Sequence, residues 1–375
     1  MNKKFLYISF IILIISGVVS CKDVVNDVPD TPFGTTPYDL QNNDTLLPPN
    51  RIPSDNPLTV EGVQLGRMLF YDPILSADST QSCASCHNQK DAFTDNGKRV
   101  STGIRGLEGP RNSMPIFNLM WHLDGFFWDG RSEILRHQAL VPIEDPLEMD
   151  ETVGNVLSKL NAYQTYEGQA KKAFNADELD EDLVGKALEQ FMLSIISANS
   201  KFDKVQLGLE TFTSEERLGQ IIFNAESVPL NQEVDPNTPV NYGGDCFHCH
   251  GGSLFMRREY LSNGLPPGTL DDKGRGGANG NPLDDYLFKT PTLRNIELTG
   301  PYMHDGRFNT LEEVVQHYLS PMDDSQADLS NSPNMHALRD SVYLSEEHKA
   351  ALIAFMKTLT DESLLTDERY SNPFK

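Results

Sequence analysis

The chain has 375 residues, 38% of them hydrophobic, so it is long enough for two domains that each bury a core. Its formal net charge is −23, and no basic stripe is present to neutralise phosphates, which excludes nucleic acid as a partner. The negative charge suits a basic protein partner, although acidity can also serve solubility alone.

The N-terminus predicts an exported protein. The basic stretch MNKK precedes the apolar run FLYISFIILIISGVV, which is too short and too close to the terminus for a membrane span. The following VVSC resembles the lipobox of bacterial lipoproteins, in which the cysteine, here Cys21, is lipidated. A plain signal peptide is the alternative. We therefore expect a periplasmic or cell-envelope protein that touches the membrane only through a lipid anchor.

Residues 1–20 are accordingly predicted to be a lipoprotein-type signal peptide. Residues 21–50, rich in Asn, Asp, Pro and Thr, are predicted to be a flexible tether. Two further domains, 51–205 and 206–375, are expected to follow.

Two cysteine pairs, CASCH (83–87) and CFHCH (246–250), carry the strongest signal in the chain. C-x-x-C-H is the attachment signature of c-type haem, in which both thiols add to the haem vinyl groups and the histidine ligates iron. A zinc site would require the two pairs to converge, and a redox C-x-x-C pair does not need the histidine. Two covalently bound haems c are therefore predicted, held by Cys83, Cys86, His87, Cys246, Cys249 and His250.

The two motifs belong to a longer internal repeat. QLGRMLFYD (64–72) precedes the first motif and RLGQIIFN (217–224) precedes the second. After the motifs, MPIFN and FFWDGR are paralleled by TPTLRN and YMHDGR. This self-similarity predicts two cytochrome c-like haem domains related by internal duplication.

The expected fold class is mainly α. Apolar residues spaced as on one helix face predict helices over 179–198 and over 345–360, the second with a Ser-Glu-Glu start. The glycine-rich stretches 241–252 and 274–281 are predicted to be loops. No run of alternating strands is evident.

The segment HQALVPIEDPLEMD (137–150) contains a candidate acid–base residue, Glu148. Gln138 and Glu148 are separated by Pro142 and Pro146, which forbid one continuous helix. A glutamate in an apolar pocket has its protonated form favoured, which brings its pKa nearer to the range where it can move protons. From the residues alone, a surface acid is the simpler interpretation of Glu148.

These motifs together resemble the bacterial di-haem cytochrome c peroxidase family, including its MauG-like branch, over roughly residues 55–360. The resemblance implies that the N-terminal haem is the peroxide site and that the C-terminal haem relays electrons. It implies that Glu148 is the catalytic acid–base with Gln138 as its polar companion, and that Trp128 carries electrons between the haems. It also implies one Ca²⁺ between the domains, bound by Asn112, Thr299 and Pro301.

One departure from the family concerns the loop before Asn112. Many members carry a histidine there that blocks the peroxide-site iron, whereas VSTGIRGLEG has Ile104 near that position. No histidine lies between His87 and His122. The first haem is therefore predicted to be five-coordinate and open without prior reduction.

The second axial ligand of the C-terminal haem has three candidates. Chemistry alone favours methionine, either Met303 or Met322, because a thioether raises haem potential. The family's ligand position lies fourteen residues after the HDG histidine, His304, and is methionine in peroxidases with a high-potential haem but tyrosine in the MauG-like branch. This chain has Tyr318 there.

The resemblance therefore predicts an enzyme that reduces hydrogen peroxide with electrons from a small redox protein, a cytochrome c or a cupredoxin. A MauG-like enzyme that oxidises aromatic residues of a partner protein is the alternative, favoured by Tyr318. A non-catalytic electron carrier is less consistent with the pair Gln138 and Glu148. A monomer or a homodimer is expected.

Overall fold

A computed structural model describes residues 34, 36–42, 45–95, 97–227, 243–265, 271–320 and 344–375. The predicted signal peptide, the lipidation site Cys21 and the candidate ligand Met322 lie outside these described residues. None of the helices in the described ranges combines the length and the apolar character needed to cross a bilayer.

The described part of the chain is mainly helical, as expected. Its α-helices are Val60–Tyr71 (α1), Cys83–Cys86 (α2), Leu135–Gln138 (α3), Val141–Glu144 (α4), Val153–Asn161 (α5), Gln164–Phe174 (α6), Glu181–Ser194 (α7), Lys201–Gln206 (α8), Ser214–Phe223 (α9), Phe247–His250 (α10), Gly274–Asn279 (α11), Leu311–Leu319 (α12) and Glu346–Lys357 (α13). Two short strands, Tyr260–Leu261 (β1) and Phe288–Lys289 (β2), pair antiparallel, with Tyr260 opposite Lys289.

Helices α1 and α7 form the centre of a first hydrophobic core. The helix predicted over 179–198 is confirmed as α7, which begins after Asp180, whose side chain accepts from the Leu183 amide. The two helices approach closely at Gly66, where an added Cβ would lie 1.8 Å from the Ala187 carbonyl oxygen and 2.8 Å from Phe191 Cβ. Only glycine allows this approach.

Helices α9 and α13 form the centre of a second core in the same way. The predicted 345–360 helix is confirmed as α13, capped by Ser345 as its Ser-Glu-Glu start suggests. An added Cβ at Gly219 of α9 would lie 1.9 Å from the Ala351 carbonyl oxygen and 2.7 Å from Phe355 Cβ. Gly66 and Gly219 therefore have matching surroundings in the two cores.

The two cores are joined at a buried polar junction. Asn118 donates from its side chain to the Ser197 carbonyl, and Asn295 donates from its side chain to Ser197 Oγ, at 2.9 Å each. The Asp361 carboxylate accepts from Ser197 Oγ at 3.2 Å and from the backbone amides of Ala198 and Asn199 at 3.0 and 3.1 Å. Both halves thus share hydrogen-bond partners, and Phe33–Lys375 forms one compact unit.

The C-terminal segment packs against the first core. Leu364 and Tyr370 are buried there, at 2% and 1% exposure. Gln89 donates to the Leu364 carbonyl at 3.0 Å, and the Tyr71 hydroxyl donates to the Tyr370 carbonyl at 2.7 Å. A boundary at residues 205 and 206 stays a prediction, but the last residues of the chain lie with the N-terminal half.

Two predicted loops are partly helical, which corrects the sequence interpretation. One turn of helix, α10, lies within 241–252, and α11 lies within 274–281. Glycine predicts loops through its backbone freedom, but α11 is held by tertiary contacts that the local sequence does not reveal. The Arg275 amide donates to the Leu287 carbonyl at 2.8 Å, and Gly276 lies tightly against Asp285.

The described end of the predicted tether packs against the first core. Leu40 is 6% exposed and belongs to that core, Pro37 forms a bridge with Thr59, and Trp121 Nε1 donates to the Pro49 carbonyl at 3.1 Å. The prediction of a free tether reaching residue 50 is therefore wrong for this end. The polar, proline-rich composition of residues 21–50 did not indicate that apolar side chains such as Leu40 would pack this segment against the first core.

Candidate functional site

The first C-x-x-C-H motif forms one helical turn. Helix α2 carries Cys83 and Cys86 as free thiols, and the His87 amide donates to the Cys83 carbonyl at 2.9 Å. His87 Nδ1 lies 3.0 Å from the Phe93 carbonyl oxygen. Because a carbonyl can only accept, Nδ1 carries the proton and Nε2 keeps its lone pair for a metal.

The second motif repeats this arrangement on α10. His250 Nδ1 lies 3.1 Å from the Pro291 carbonyl oxygen and 3.2 Å from that of Phe255. Burial lowers the pKa of His250 to about 4, so the imidazole is neutral at physiological pH. A neutral imidazole with a free Nε2 is the form that ligates iron.

A cavity adjoins the second motif, and its lining fits a large planar group. Cys246, Cys249 and His250 lie on its wall, with the apolar side chains of Leu352 and Met356 among the other lining residues. The described cysteine and histidine side chains of the two motifs do not gather into a shared metal-ligand cluster, so convergence on one zinc ion is excluded. Paired thiols, an oriented histidine and an apolar cavity suit covalently attached haem.

Glu148 lies near the first motif and has the properties expected of an acid–base group. Burial, with a smaller contribution from Asp145, raises the pKa of Glu148 to about 7, and Arg131 opposes the rise. The negative charge of Glu148 in turn contributes to the raised thiol pKa values of Cys83 and Cys86, although burial is the main cause. The interpretation as an exposed surface acid is therefore wrong.

The loop that replaces the family's blocking histidine packs against Glu148. The Ile104 amide donates to the Glu148 carbonyl oxygen at 2.9 Å. Next to Glu148, the side chains of Arg105 and Asp150 form an ion pair. Ile104, expected near the blocking position, is thus hydrogen-bonded to the candidate catalytic residue.

Gln138 ends α3, and Pro142 lies in the first turn of α4, so the predicted break in the helix is confirmed. The chain then turns back, and the Met149 amide donates to the Pro142 carbonyl at 3.2 Å. Gln138 is half-buried, and in the described structure it forms no hydrogen bond with Glu148. Its role as a companion of Glu148 stays a prediction.

Trp128 lies on the wall of the cavity beside the second motif and is 9% exposed. Its indole Nε1 donates to the Asn112 carbonyl at 2.9 Å. The next residue, Ser113, lies 3.3 Å from His87 Nδ1 and donates to the Cys86 carbonyl at 3.0 Å. Trp128 is therefore linked through two consecutive residues to the first motif while it lines the site of the second.

Tyr318 and Met303 both line the same cavity. Tyr318 lies on α12, which begins after Thr310 with a capping box to Glu313, as the TLEE start suggests. Burial raises the pKa of the Tyr318 phenol well above its usual range. Met303 Sδ accepts a hydrogen bond from Asn263 Nδ2 at 3.3 Å, so its sulfur already has a partner.

His304 lies on the wall of the same cavity. It is 8% exposed, and its ring stacks on Phe288 with centroids 3.8 Å apart and planes 10° apart. Its carbonyl oxygen accepts from the Asn112 amide at 2.8 Å.

The predicted calcium residues, Asn112, Thr299 and Pro301, all line the same cavity. The Asn112 side-chain amide donates to the carbonyls of Lys98 and Arg99, at 3.3 and 3.0 Å. The calcium site stays a prediction.

Two residues of the site were missed by the sequence interpretation. Ser113 orients His87, and it could have been noticed because it follows Asn112 in the same motif. Asn263 donates to Met303 and accepts through its carbonyl from His317 Nε2 at 2.8 Å. It lies in no recognisable motif, so no local signal indicated it.

Comparisons with known proteins agree with this geometry. Residues 60–211 match the family model described as di-haem cytochrome c peroxidase. The chain is 31% identical over 312 residues to the methylamine utilization protein MauG of Methylorubrum extorquens, covering 83% of this chain and 81% of that one. It is 32% identical over 323 residues to the cytochrome c551 peroxidase of Nitrosomonas europaea, covering 85% of each.

Solved structures give the same fold. A MauG-like protein associated with microbial copper homeostasis superimposes with a TM-score of 0.75 at 31% identity, covering 88% of this chain and 98% of that one. The diheme peroxidase BthA from Burkholderia thailandensis superimposes with a TM-score of 0.69 at 22% identity, covering 84% and 88%. Membership of this family implies two c-type haems. With its two oriented C-x-x-C-H histidines, the chain belongs to the di-haem cytochrome c peroxidase family and is an oxidoreductase of the haem peroxidase type.

Proposed function

We propose that the protein reduces hydrogen peroxide to water at the haem held by Cys83, Cys86 and His87. The observation that carries this proposal is Glu148, a buried carboxyl near that motif with a pKa of about 7. A group that must accept a proton and then return it works best when its pKa lies near the working pH. An electron carrier has no use for such a group.

Glu148 is proposed to move the proton that peroxide cleavage requires. Its carboxylate would accept one proton of peroxide and return it to the oxygen that leaves as water. The haem held by Cys83, Cys86 and His87 would supply the place where peroxide binds and the electrons that reduce it. Two electrons and two protons per peroxide yield two molecules of water.

Electrons are proposed to arrive one at a time from a small redox protein, a cytochrome c or a cupredoxin, through the haem at His250. Trp128 supports this route, because it lines the second cavity and hydrogen-bonds to Asn112, next to Ser113 at the first motif. The net charge of −23 suits a basic donor.

A second candidate function is supported by Tyr318. We propose Tyr318 as the iron ligand opposite His250, because it lines the same cavity and stands at the position where the resemblance places that ligand. A phenolate stabilises ferric iron and lowers the potential, which makes it easier to keep oxidising equivalents in the protein. This property fits a MauG-like enzyme that oxidises aromatic residues of a protein partner.

Stopped-flow mixing separates these functions. The fully oxidised protein is mixed with peroxide and then with reduced cytochrome c. Rapid oxidation of the cytochrome over many turnovers supports the peroxidase. Oxidising equivalents that persist for many seconds while the cytochrome turns over poorly support the MauG-like enzyme. No reaction with peroxide contradicts both.

The ligand proposal has its own test. Replacing Tyr318 by Phe removes the phenolate and should change the low-spin ferric spectrum and raise the potential of the second haem. Met303→Leu is the matched control in the same cavity and should leave that spectrum unchanged. The reverse result would assign the ligand to Met303.

The first haem is proposed to be five-coordinate in the oxidised protein, because Ile104 lies in the loop where relatives carry a blocking histidine, and this loop contacts Glu148. An EPR spectrum of the fully oxidised protein should contain a high-spin ferric signal. Its absence would show that another group occupies the iron.

An internal duplication is proposed from matched features of the halves. Asn118 and Asn295 share the left-handed conformation, with φ of 56° and 58°, and both histidine Nδ1 atoms face a phenylalanine carbonyl. The bridges Phe126–Ser132 and Tyr302–Phe308 also correspond.

We also propose a calcium site, which rests on the family resemblance, and a cell-envelope location, which rests on the N-terminal sequence. A Ca²⁺ ion bound by Asn112, Thr299 and Pro301 would connect the segment that follows the first motif to the segment that follows the second. Lipid anchoring through Cys21 would hold the protein in the cell envelope.

A further inference from the structure

A cluster of side chains that could bind a metal ion lies beside the second haem motif. These side chains take no part in the proposed reaction. The cluster consists of Glu226, Asp245 and His248, whose candidate ligand atoms all lie within 4.8 Å of one another. His248 is one of the two residues between Cys246 and Cys249, and Asp245 directly precedes Cys246. Glu226 follows α9, so the cluster connects that helix to the haem-attachment turn.

The distances within the cluster suit a single small cation. His248 Nε2 lies 3.1 Å from Asp245 Oδ1 and 3.1 and 3.2 Å from the two oxygens of Glu226. Ligands about 2.0–2.2 Å from one zinc ion in tetrahedral geometry lie about 3.4 Å from each other. Small adjustments of the exposed Glu226 side chain would open the required space.

Within the described residues, hydrogen bonds between protein groups satisfy this cluster only in part. One Nε2–H of His248 faces three carboxylate oxygens, and it can serve only one of them well. The Asp245 side chain is 3% exposed, and in the part of the chain that the structure describes its Oδ1 accepts no well-aligned hydrogen bond, although His248 Nε2 lies 3.1 Å away. A buried carboxylate oxygen without a well-aligned donor is costly, and a cation bound between Asp245, His248 and Glu226 would satisfy it.

We propose that Glu226, Asp245 and His248 bind one divalent transition-metal ion of the zinc type. One imidazole and two carboxylates are the donor set that such an ion accepts, whereas Ca²⁺ and Mg²⁺ prefer oxygen ligands alone. Three protein ligands leave a coordination position for water. The ion would fasten the end of α9 to the turn that carries Cys246 and Cys249.

The test uses the tag-free holoprotein with both haems attached, stripped with EDTA and then kept in saturating Ca²⁺ so that oxygen-donor sites are filled. Zn²⁺ is titrated by calorimetry, and the bound metal is counted after dialysis by mass spectrometry. One Zn²⁺ per chain is expected. Glu226→Gln and Asp245→Asn should each weaken binding by about tenfold or more. Zn²⁺ should also raise the melting temperature of the wild type more than that of Glu226→Gln or Asp245→Asn.

The control is Glu215→Gln, which removes the same charge from an exposed position of α9 outside the cluster. It should bind Zn²⁺ like the wild type. Glu226 is 71% exposed, so its variant is expected to fold even if Asp245→Asn does not. Absence of stoichiometric Zn²⁺ binding, or equal binding by Glu226→Gln and the wild type, overturns the proposal and leaves an ordinary ion pair.

Discussion

The two C-x-x-C-H regions present the same local arrangement of thiols and histidine. In each, a helical turn presents two thiols, and a backbone carbonyl orients the histidine so that Nε2 is free. The regions differ in what lies nearby. Glu148, with its pKa of about 7, accompanies the first motif, whereas Tyr318 and Met303 accompany the second. Under the proposed function, these few side chains would make the first region reactive and the second a relay.

The largest effect is expected from replacing Glu148, the carboxyl group that distinguishes the region around the first motif from the second. Glu148→Gln keeps the size of the side chain but cannot take up a proton, so the second-order rate constant with peroxide should fall by about 10²- to 10⁴-fold. Stopped-flow spectroscopy of the oxidised protein measures this rate. Glu144→Gln, at an exposed position of α4, is the matched control and should react normally. A normal rate in Glu148→Gln would remove the main difference between the regions.

The similarity of the two hydrophobic cores can be tested at Gly66 and Gly219, which have matching surroundings. Gly66→Ala and Gly219→Ala each place a Cβ less than 2 Å from a carbonyl oxygen of the facing helix. Each should lower the free energy of unfolding by about 1–3 kcal/mol or more. Denaturant unfolding of the holoproteins measures the loss. Unequal losses would mean that the two cores are not equivalent at this contact.

Gly168→Ala is the control for these two variants. It lies in the exposed interior of α6, and an added Cβ there meets nothing within 4 Å. Because alanine favours helix more than glycine, this change should raise stability by about 0.5–1 kcal/mol. A loss there would show that glycine substitution is harmful regardless of packing.

The pH dependence should belong to the first region alone. Burial raises the pKa of Glu148 to about 7, so the carboxyl is protonated below that pH and ionised above it. Accepting a proton from peroxide requires the ionised form. The rate constant should therefore rise up to about tenfold per pH unit below pH 7 and level off above it. A flat profile in the wild type contradicts the assignment, and Glu148→Gln should lose the dependence.

The smallest effect is expected from Arg131, whose positive charge opposes the rise in the pKa of Glu148. Arg131 lowers the pKa of Glu148, but its side chain is 40% exposed, so solvent screens the interaction. Arg131→Gln should move the midpoint of the pH profile upward by a fraction of a unit. Arg105→Gln, which loses the pair with Asp150, serves as control. A downward shift in Arg131→Gln would give Arg131 another role.

The local sequence predicted what depends on short-range chemistry. The two C-x-x-C-H turns, the caps at Thr310 and Ser345 and the break at Pro142 follow from residues within a few positions of each other. The importance of Glu148 could not be inferred in this way. Its burial depends on the loop at Ile104 and on the fold of the whole segment, and only the family resemblance indicated it.

Other features depended on distant contacts. Helix α11 is glycine-rich and has no local reason to form, but residues 285–287 hold it in place. Asn263 and the junction of Asn118, Ser197, Asn295 and Asp361 join positions far apart in the chain. Such pairings are set by tertiary structure and leave no local pattern.

The docking of Leu364 and Tyr370 on the first core has a consequence for biosynthesis. The N-terminal half emerges first, yet Gln89 and Tyr71 acquire their partners only when the last residues of the chain have been made. Until then the neighbourhood of CASCH lacks part of its packing and is more accessible. Residues 364–370 therefore complete the packing around CASCH only after the rest of that core has been made.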